Sequence, residues 1–380
     1  MSAFHFAGPL LRYLRLEKNW SQETLCQGIC AVSYLSKIEQ GKAEANPALL
    51  ADLFARLGKT WQTDPAALES DRQIHLSLYD ALFSGDFERF DRESAQLGEL
   101  NERPLGPFYL DFLILRNYRL RDPSIPPELE QFLDNRQSCL AALTRGDTDQ
   151  AHRLYPCAFT SHCVGVKAYR SGDYTLGLAY LQRSYDLASQ EGYVRLMMLD
   201  QLFLANCYSD LRNYREMERH SEIAARIARY TADGETLRVI RYNLASTQME
   251  CGKFEEAYQY FSTLEEPSVL DLHKLSICCE KMGKMQQARE ALDAASEKPV
   301  ELHPVEQKMC DVVRYRLEHP DHLKDDRYGA LLMDVFHTLR REMPAGYARF
   351  HLPWVREWLT ANRRYREAYE LMADFTENHL

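Results

Sequence analysis

One short turn recurs along this chain and restricts its possible folds more than any other feature. Gly-Asp-Phe stands at 85–87, Gly-Asp at 146–147, Gly-Asp-Tyr at 172–174, Asn-Tyr at 213–214, Gly-Lys-Phe at 252–254 and Gly-Lys-Met at 283–285. Each ends one run of helical apolar periodicity and starts the next. A small residue often follows five positions after the turn Gly or Asn, at Ala151, Gly177, Ala257 and Ala288. A large apolar one comes four positions later, at Tyr155, Leu181, Phe261 and Leu292. Small residues let paired helices approach, and the large ones fill the groove between them.

From Gly146 to Gly283 the turn-to-turn intervals are 26, 41, 39 and 31 residues, scattered about the roughly 34-residue period of a helix-pair repeat. This is the tetratricopeptide signature in degenerate form, and Tyr365 to Phe375 reads as a final repeat. Pro104 to Pro127 and Pro299 to Pro320 break the rhythm and are read as longer loops or irregular helices inside the array. Trp61 to Ser70 is read as a short connection ahead of it.

The first sixty residues obey a different pattern. Pro9 to Lys18 predicts a short amphipathic helix with Leu10, Leu11, Leu14 and the following Trp20 inward and Arg12, Arg15 and Lys18 outward. Ser21 caps a second helix, Gln22 to Gln27, which Gly28 ends. A third runs from Val32 to Gln40 and stops at Gly41; Leu35 and Ile38 form its inner stripe. Asn46-Pro47 opens a fourth that ends at Leu57-Gly58. Two short helices joined by a tight turn and flanked by supporting helices make a helix-turn-helix module. The predicted fold class is therefore all-α: a helix-turn-helix domain over 1–64, then a right-handed superhelix of degenerate tetratricopeptide repeats over 65–380.

The segment from Ser21 to Lys42 closely resembles the Xre/Cro-type DNA-binding domain, and its Gly-Ile-Cys-Ala-Val-Ser-Tyr-Leu-Ser-Lys-Ile-Glu core is similar to that of the PlcR and NprR regulators, members of the RRNPP family of peptide-sensing transcription factors. In such a module Gln22, in the first turn of its helix, is placed to orient the domain on a DNA phosphate. Ser33, Tyr34 and Lys37 point outward from the early recognition helix, where side chains reach major-groove edges. Lys37 and Lys42 suit phosphate or guanine, and Ser36 and Asn46 suit phosphate. Glu39 is read as structural, paired with Arg12 or Arg15.

Charge sharpens this reading. The chain of 380 residues carries a formal net charge of −10, which at first argues against nucleic acid. Residues 1–64, however, hold seven Lys and Arg against six Asp and Glu, a net +1 that leaves −11 on the remainder. A near-neutral head makes few phosphate contacts, so useful affinity calls for two copies on neighbouring half-sites and hence a homodimer.

Stacked helix pairs present a concave face lined by the first helix of each pair. An extended peptide bound there needs side-chain amides to satisfy its main-chain N–H and C=O groups. Asn206 and Asn243 fall on first helices of successive repeats, and the resemblance implies that asparagines at such places clamp a peptide backbone. Arg170, Arg241, His273 and Lys274 are candidates for a carboxylate, with Tyr169, Tyr208 and Tyr242 as apolar walls.

The resemblance implies a cytoplasmic quorum-sensing regulator that binds a palindromic double-stranded DNA operator as a dimer under control of a short signalling peptide. The alternative is a repeat-based interaction protein that sequesters a phosphorelay or response-regulator protein, with or without DNA binding, as related Rap proteins do. The ten cysteines lie at irregular spacings without the paired Cys-x2-Cys pattern of a zinc site, and no His-Glu-x-x-His or Gly-rich phosphate loop is present. No metal, other cofactor or enzymatic activity is therefore expected. With no stretch near the ~18 apolar residues of a spanning helix, no membrane partner is expected either.

Overall fold

The computed structural model describes residues 6–97, 103–299 and 304–377. Among them the only pairing of extended backbone is an isolated bridge between Trp61 and Leu105; everything else that is regular is helical. The head consists of α1 (Ala7–Glu17), α2 (Gln22–Cys26), α3 (Val32–Glu39) and α4 (Pro47–Arg56). Its helices start where capping chemistry places them. Ser21 Oγ accepts from the Thr24 amide at 3.0 Å, and Asn46 Oδ1 accepts from the Leu49 amide at 2.8 Å with Pro47 at the first helical position. Gly28, at φ +73°, makes the left-handed turn between α2 and α3.

Leu10, Leu11, Leu25, Leu35, Leu50, Leu53 and Phe54 form the fully buried centre of the head. Arg15 departs from the outward placement read from the sequence: it is buried, because Glu39 of α3 supplies a carboxylate that makes burial tolerable.

By backbone contacts the chain divides into two compact units, Met1–Val164 with Asp186–Leu196, and Gly165–Tyr185 with Met197–Leu380. In the first, the head is followed by α5 (Pro65–Phe83), α6 (Phe87–Ala95), α7 (Tyr109–Leu120), α8 (Pro127–Glu130), α9 (Asn135–Thr144) and α10 (Thr148–Leu154). The connection after the head is shorter than Trp61 to Ser70, because Asp64 accepts from the Ala66 and Ala67 amides at 3.3 Å and starts α5 at Pro65. Within Pro104 to Pro127 lies a regular 12-residue helix, α7, since the prolines fall outside it. Leu105, Leu110, Leu113 and Leu129 of this region join the core of the head.

The remaining helices are α11 (Ala158–Ser171), α12 (Tyr174–Glu191), α13 (Val194–Asp210), α14 (Tyr214–Tyr230), α15 (Gly234–Glu250), α16 (Phe254–Phe261), α17 (Val269–Lys281), α18 (Met285–Ser296), α19 (Pro304–Glu318), α20 (Asp326–Glu342), α21 (Ala345–Ala361) and α22 (Tyr365–Glu377). All six recurring turns join paired helices as read: α5/α6, α9/α10, α11/α12, α13/α14, α15/α16 and α17/α18. At the Asn213 turn the left-handed position is filled by Arg212, at φ +57°. Ala151, Gly177, Ala257 and Ala288 are buried, as are Leu181, Phe261 and Leu292, while Tyr155 is half-buried. Pro299 to Pro320 contains the regular 15-residue α19, with Pro304 at its first position and Pro320 beyond its end; residues 300–303 lie outside the described residues. The fold is thus all-α, a helix-turn-helix followed by a tetratricopeptide-like repeat superhelix. No helix among the described residues is long and apolar enough to cross a membrane.

Candidate DNA-reading face and ligand groove

In the head, Ser33, Tyr34, Ser36 and Lys37 fall on one side of α3, opposite the buried Leu35 and Ile38. Ser33 and Lys37 are exposed, and neither side chain has a hydrogen-bonding or ionic partner among the described residues. Tyr34 is exposed along its ring, and its hydroxyl donates to the Glu44 carbonyl at 2.9 Å. Ser36 accepts from Gln40 Nε2 at 3.0 Å, and Lys42 donates to Gln40 Oε1 at 2.8 Å. The Asn46 carbonyl oxygen is committed to its cap.

Gln22 donates through Nε2 to Glu39 Oε2 at 2.8 Å, leaving its amide oxygen and second N–H available. Glu39 is paired with Arg15: Nε lies 2.7 Å from Oε1 and Nη2 2.8 Å from Oε2, while Nη1 donates to the Trp20 carbonyl at 2.6 Å. Side-chain exposures of 9% and 2% make this a desolvated, bidentate pair. It fixes α1 to α3 and so aims the exposed side of α3. Arg56 of α4 donates to the Gln27 carbonyl and ties the turn down from below.

The second unit contains a cleft of about 290 Å³ lined by residues of α11, α13, α15, α17 and α21. Tyr169, Arg170, Asn206, Tyr242, Asn243 and Lys274 all line it. Tyr208, Arg241 and His273 do not: Tyr208 stacks on His220 at 5.3 Å, Arg241 is exposed elsewhere, and His273 is fully buried against His351 with ring centroids 5.6 Å apart.

Two polar rungs join α13 to α15. Asn243 Nδ2 donates to Asn206 Oδ1 at 2.7 Å, and the hydroxyls of Ser209 and Thr247 lie 3.0 Å apart. Among the described residues, the amide pair leaves the Asn243 oxygen, its second N–H and both Asn206 N–H groups without a protein partner. Donors and acceptors are thus presented together, as an extended backbone requires.

Sequence reasoning missed several lining residues, notably Asp210, Glu250, Tyr347, Phe350 and His351. A signal existed for the first two. Polar residues at 206, 209 and 210 and at 243, 246, 247 and 250 follow the three-four-seven spacing of a single helix side. Glu250 is exposed to the solvent of the cleft, and the protein packed around its carboxyl pushes it up against the opposing pull of Lys274. From α21, Arg349 donates to Tyr174 Oη at 2.6 Å and pairs with the cleft-lining Asp210 at 3.2 Å.

Head and array define a class: a helix-turn-helix domain joined to a tetratricopeptide-like superhelix. Residues 11–63 match the family model HTH_3, Helix-turn-helix. The crystal structure of a Rap protein complexed with competence and sporulation factor shares the fold with a TM-score of 0.63, covering 82% of this chain and 98% of that one at 15% identity. No curated protein matches the chain by sequence. The chain thus joins a helix-turn-helix to an all-α repeat array that shares its fold with that Rap protein.

Proposed function

We propose that this chain is a DNA-binding transcriptional regulator controlled by a short peptide held in the cleft of its second unit. The observation that carries the reading is the Asn206–Asn243 amide pair, held at 2.7 Å with its remaining hydrogen-bonding groups unused, in a chain whose residues 11–63 match a helix-turn-helix. The factor-bound Rap protein of similar fold supports a ligand in the array. In this reading α3 enters the major groove with Ser33, Tyr34 and Lys37 at base edges, while Gln22, Ser36, Lys42 and Asn46 meet phosphates. The head's net charge of +1 supports a homodimer on a palindromic operator, since two heads double the phosphate contacts. Ligand binding then shifts the population of geometries in which both heads engage.

The test is a gel shift on the chain's own promoter region, with and without synthetic peptides encoded by neighbouring small reading frames. A salt-sensitive shift that peptide alters is expected; no shift on any candidate operator would sink the DNA half of the reading. Ser33→Ala with Lys37→Ala is expected to weaken DNA binding by at least tenfold, about 1–3 kcal/mol for a lost base contact, and to leave peptide binding intact. Asn243→Ala is expected to do the reverse, and a swapped outcome would reverse the assigned roles.

A further inference from the structure

Lys274, on α17, is an unusual residue to find in the floor of a cleft. It is 5% exposed, and its ammonium lies 3.0 Å from the centroid of the Phe350 ring. Among the described residues it makes no hydrogen bond and has no carboxylate within 4.0 Å. A cation removed from water with no anion beside it is costly, and an amine answers by giving up its proton. Burial accordingly pulls Lys274 down to about 7, with Glu250 opposing.

Among the described residues no anion pairs with it directly, and Glu250 acts on it only from a distance. On α17 itself, Cys278 is pushed up to about 12 by burial, and His273 is held well below its ordinary value by burial, with His351 and Lys274 adding to the effect. Across from it on α21, burial lowers His351 to about 3. Both ring nitrogens of His273 and Nε2 of His351 are buried without a hydrogen-bond partner among the described residues. From α19, Arg316 is already paired with Glu280 of α17 and adds to the positive potential that keeps the histidines neutral. From α15, Glu250 has its carboxyl raised by burial, which lessens its repulsion of a second carboxylate. Asp210, the other acid lining the cleft, is engaged by Arg349 at 3.2 Å. In so dry a floor one charged group on a ligand has far more effect than it has in water.

We propose that Lys274 is a carboxylate subsite of this cleft: a carboxylate of the ligand, terminal or from an Asp or Glu side chain, docks on the lysine nitrogen. Above pH 7, where burial leaves the amine mostly neutral, docking also takes up a proton from solvent: amine, proton and carboxylate become an ammonium–carboxylate pair, with no covalent bond made or broken. The proposal rests on reading the cleft as a peptide site. The Asn206 and Asn243 amides hold the ligand's backbone, and Lys274 selects for an acid at one position along it.

Three pools of random synthetic heptapeptides test it: free C-terminal acids, the same pool amidated, and an amidated pool lacking Asp and Glu. Each is incubated with the full chain, and retained peptides are read by ultrafiltration and mass spectrometry. Retention from the first pool at least tenfold above the third is expected. Retention confined to the first pool assigns the terminal carboxylate, and equal retention from the second assigns an acidic side chain. Equal retention from all three overturns the subsite and leaves the peptide reading standing; no retention from any pool overturns both.

A retained peptide is then titrated calorimetrically in buffers of different ionisation enthalpy. Uptake approaching one proton at pH 8 is expected, with binding about tenfold weaker at pH 8 than at pH 6. Zero uptake overturns the proton coupling. Lys274→Met, which keeps the chain's shape without its charge, is expected to abolish both the preference for acids and the pH dependence. Its thermal unfolding is compared with the parent's, and the measurements on the parent chain decide the question should the variant fail to fold.

Discussion

Glu39 is the residue on which the head turns. It receives two hydrogen bonds from Arg15 and one from Gln22, so one carboxylate joins the first three helices. Replacing it by alanine leaves the Arg15 guanidinium buried and unpaired, a situation that costs about 3–5 kcal/mol. Glu39→Ala is therefore expected to lower the head's midpoint in urea unfolding sharply, and Arg15→Met with Glu39→Leu to recover much of the loss; a single variant indistinguishable from the parent would show the pair to be idle. The sequence narrowed Glu39's partner to Arg12 or Arg15 but placed Arg15 outward. Periodicity treats every arginine as a surface residue, whereas burial here depends on an acid 24 positions away. Of the seven residues read as DNA contacts, Ser33, Tyr34, Ser36 and Lys37 share the side of α3 opposite Leu35 and Ile38, a placement that helical periodicity alone gives. Among the nine read as peptide contacts, six line the cleft and Tyr208, Arg241 and His273 do not, because the first helix of a pair has several sides and periodicity alone does not say which of them a distant helix will cover.

At the scale of elements, close approach matters more than propensity. Alanine normally stabilises a helix by about 1 kcal/mol over glycine, yet Gly8 in α1 is a place where the sign reverses. A Cβ there would stand 1.9 Å from the Ile38 carbonyl oxygen of α3 and 2.6 Å from its carbon. Backbone cannot rotate aside, so Gly8→Ala must push α1 away from α3. Both a lower melting temperature and a weaker DNA shift are expected; a stabilised variant would mean that α1 is free to move. The six repeat turns were readable, because a left-handed residue followed by a helix cap is local chemistry. Helices α7 and α19 were not, because prolines near their ends were read as interruptions, when one at a first position, such as Pro304, starts a helix. Nor was the contribution of α21 to the cleft: Tyr347, Phe350 and His351 meet residues some hundred positions earlier in the chain.

For the whole molecule, acidity bears on stability as well as on partners. His273 and His351 are neutral in the fold, with values lowered by burial, His351 to about 3. In the unfolded chain each titrates near 6.5, so below that pH the unfolded state binds more protons than the folded one. Stability is full above pH 6.5 and falls as pH drops toward the folded values, by about 2 kcal/mol at pH 5 for His351 alone. A urea midpoint that declines from pH 7 to pH 5 is expected, with a shallower decline in His273→Leu, whose ring nitrogens have no partner to lose. Parallel slopes in the two proteins would place the acid sensitivity elsewhere.

The leucines at 105, 110, 113 and 129 decide where this chain tolerates a splice behind its head. A junction cut just ahead of Pro65 strands the head without four apolar partners that complete its interior, leaving a greasy scar on the transplanted piece. A junction after Leu133, which also packs on that interior, carries the partners along. Chimeras joined at the later seam are expected to express in solution and melt cooperatively, and those joined at the earlier one to aggregate. Equal behaviour of the two would mark the head as a freely portable cassette.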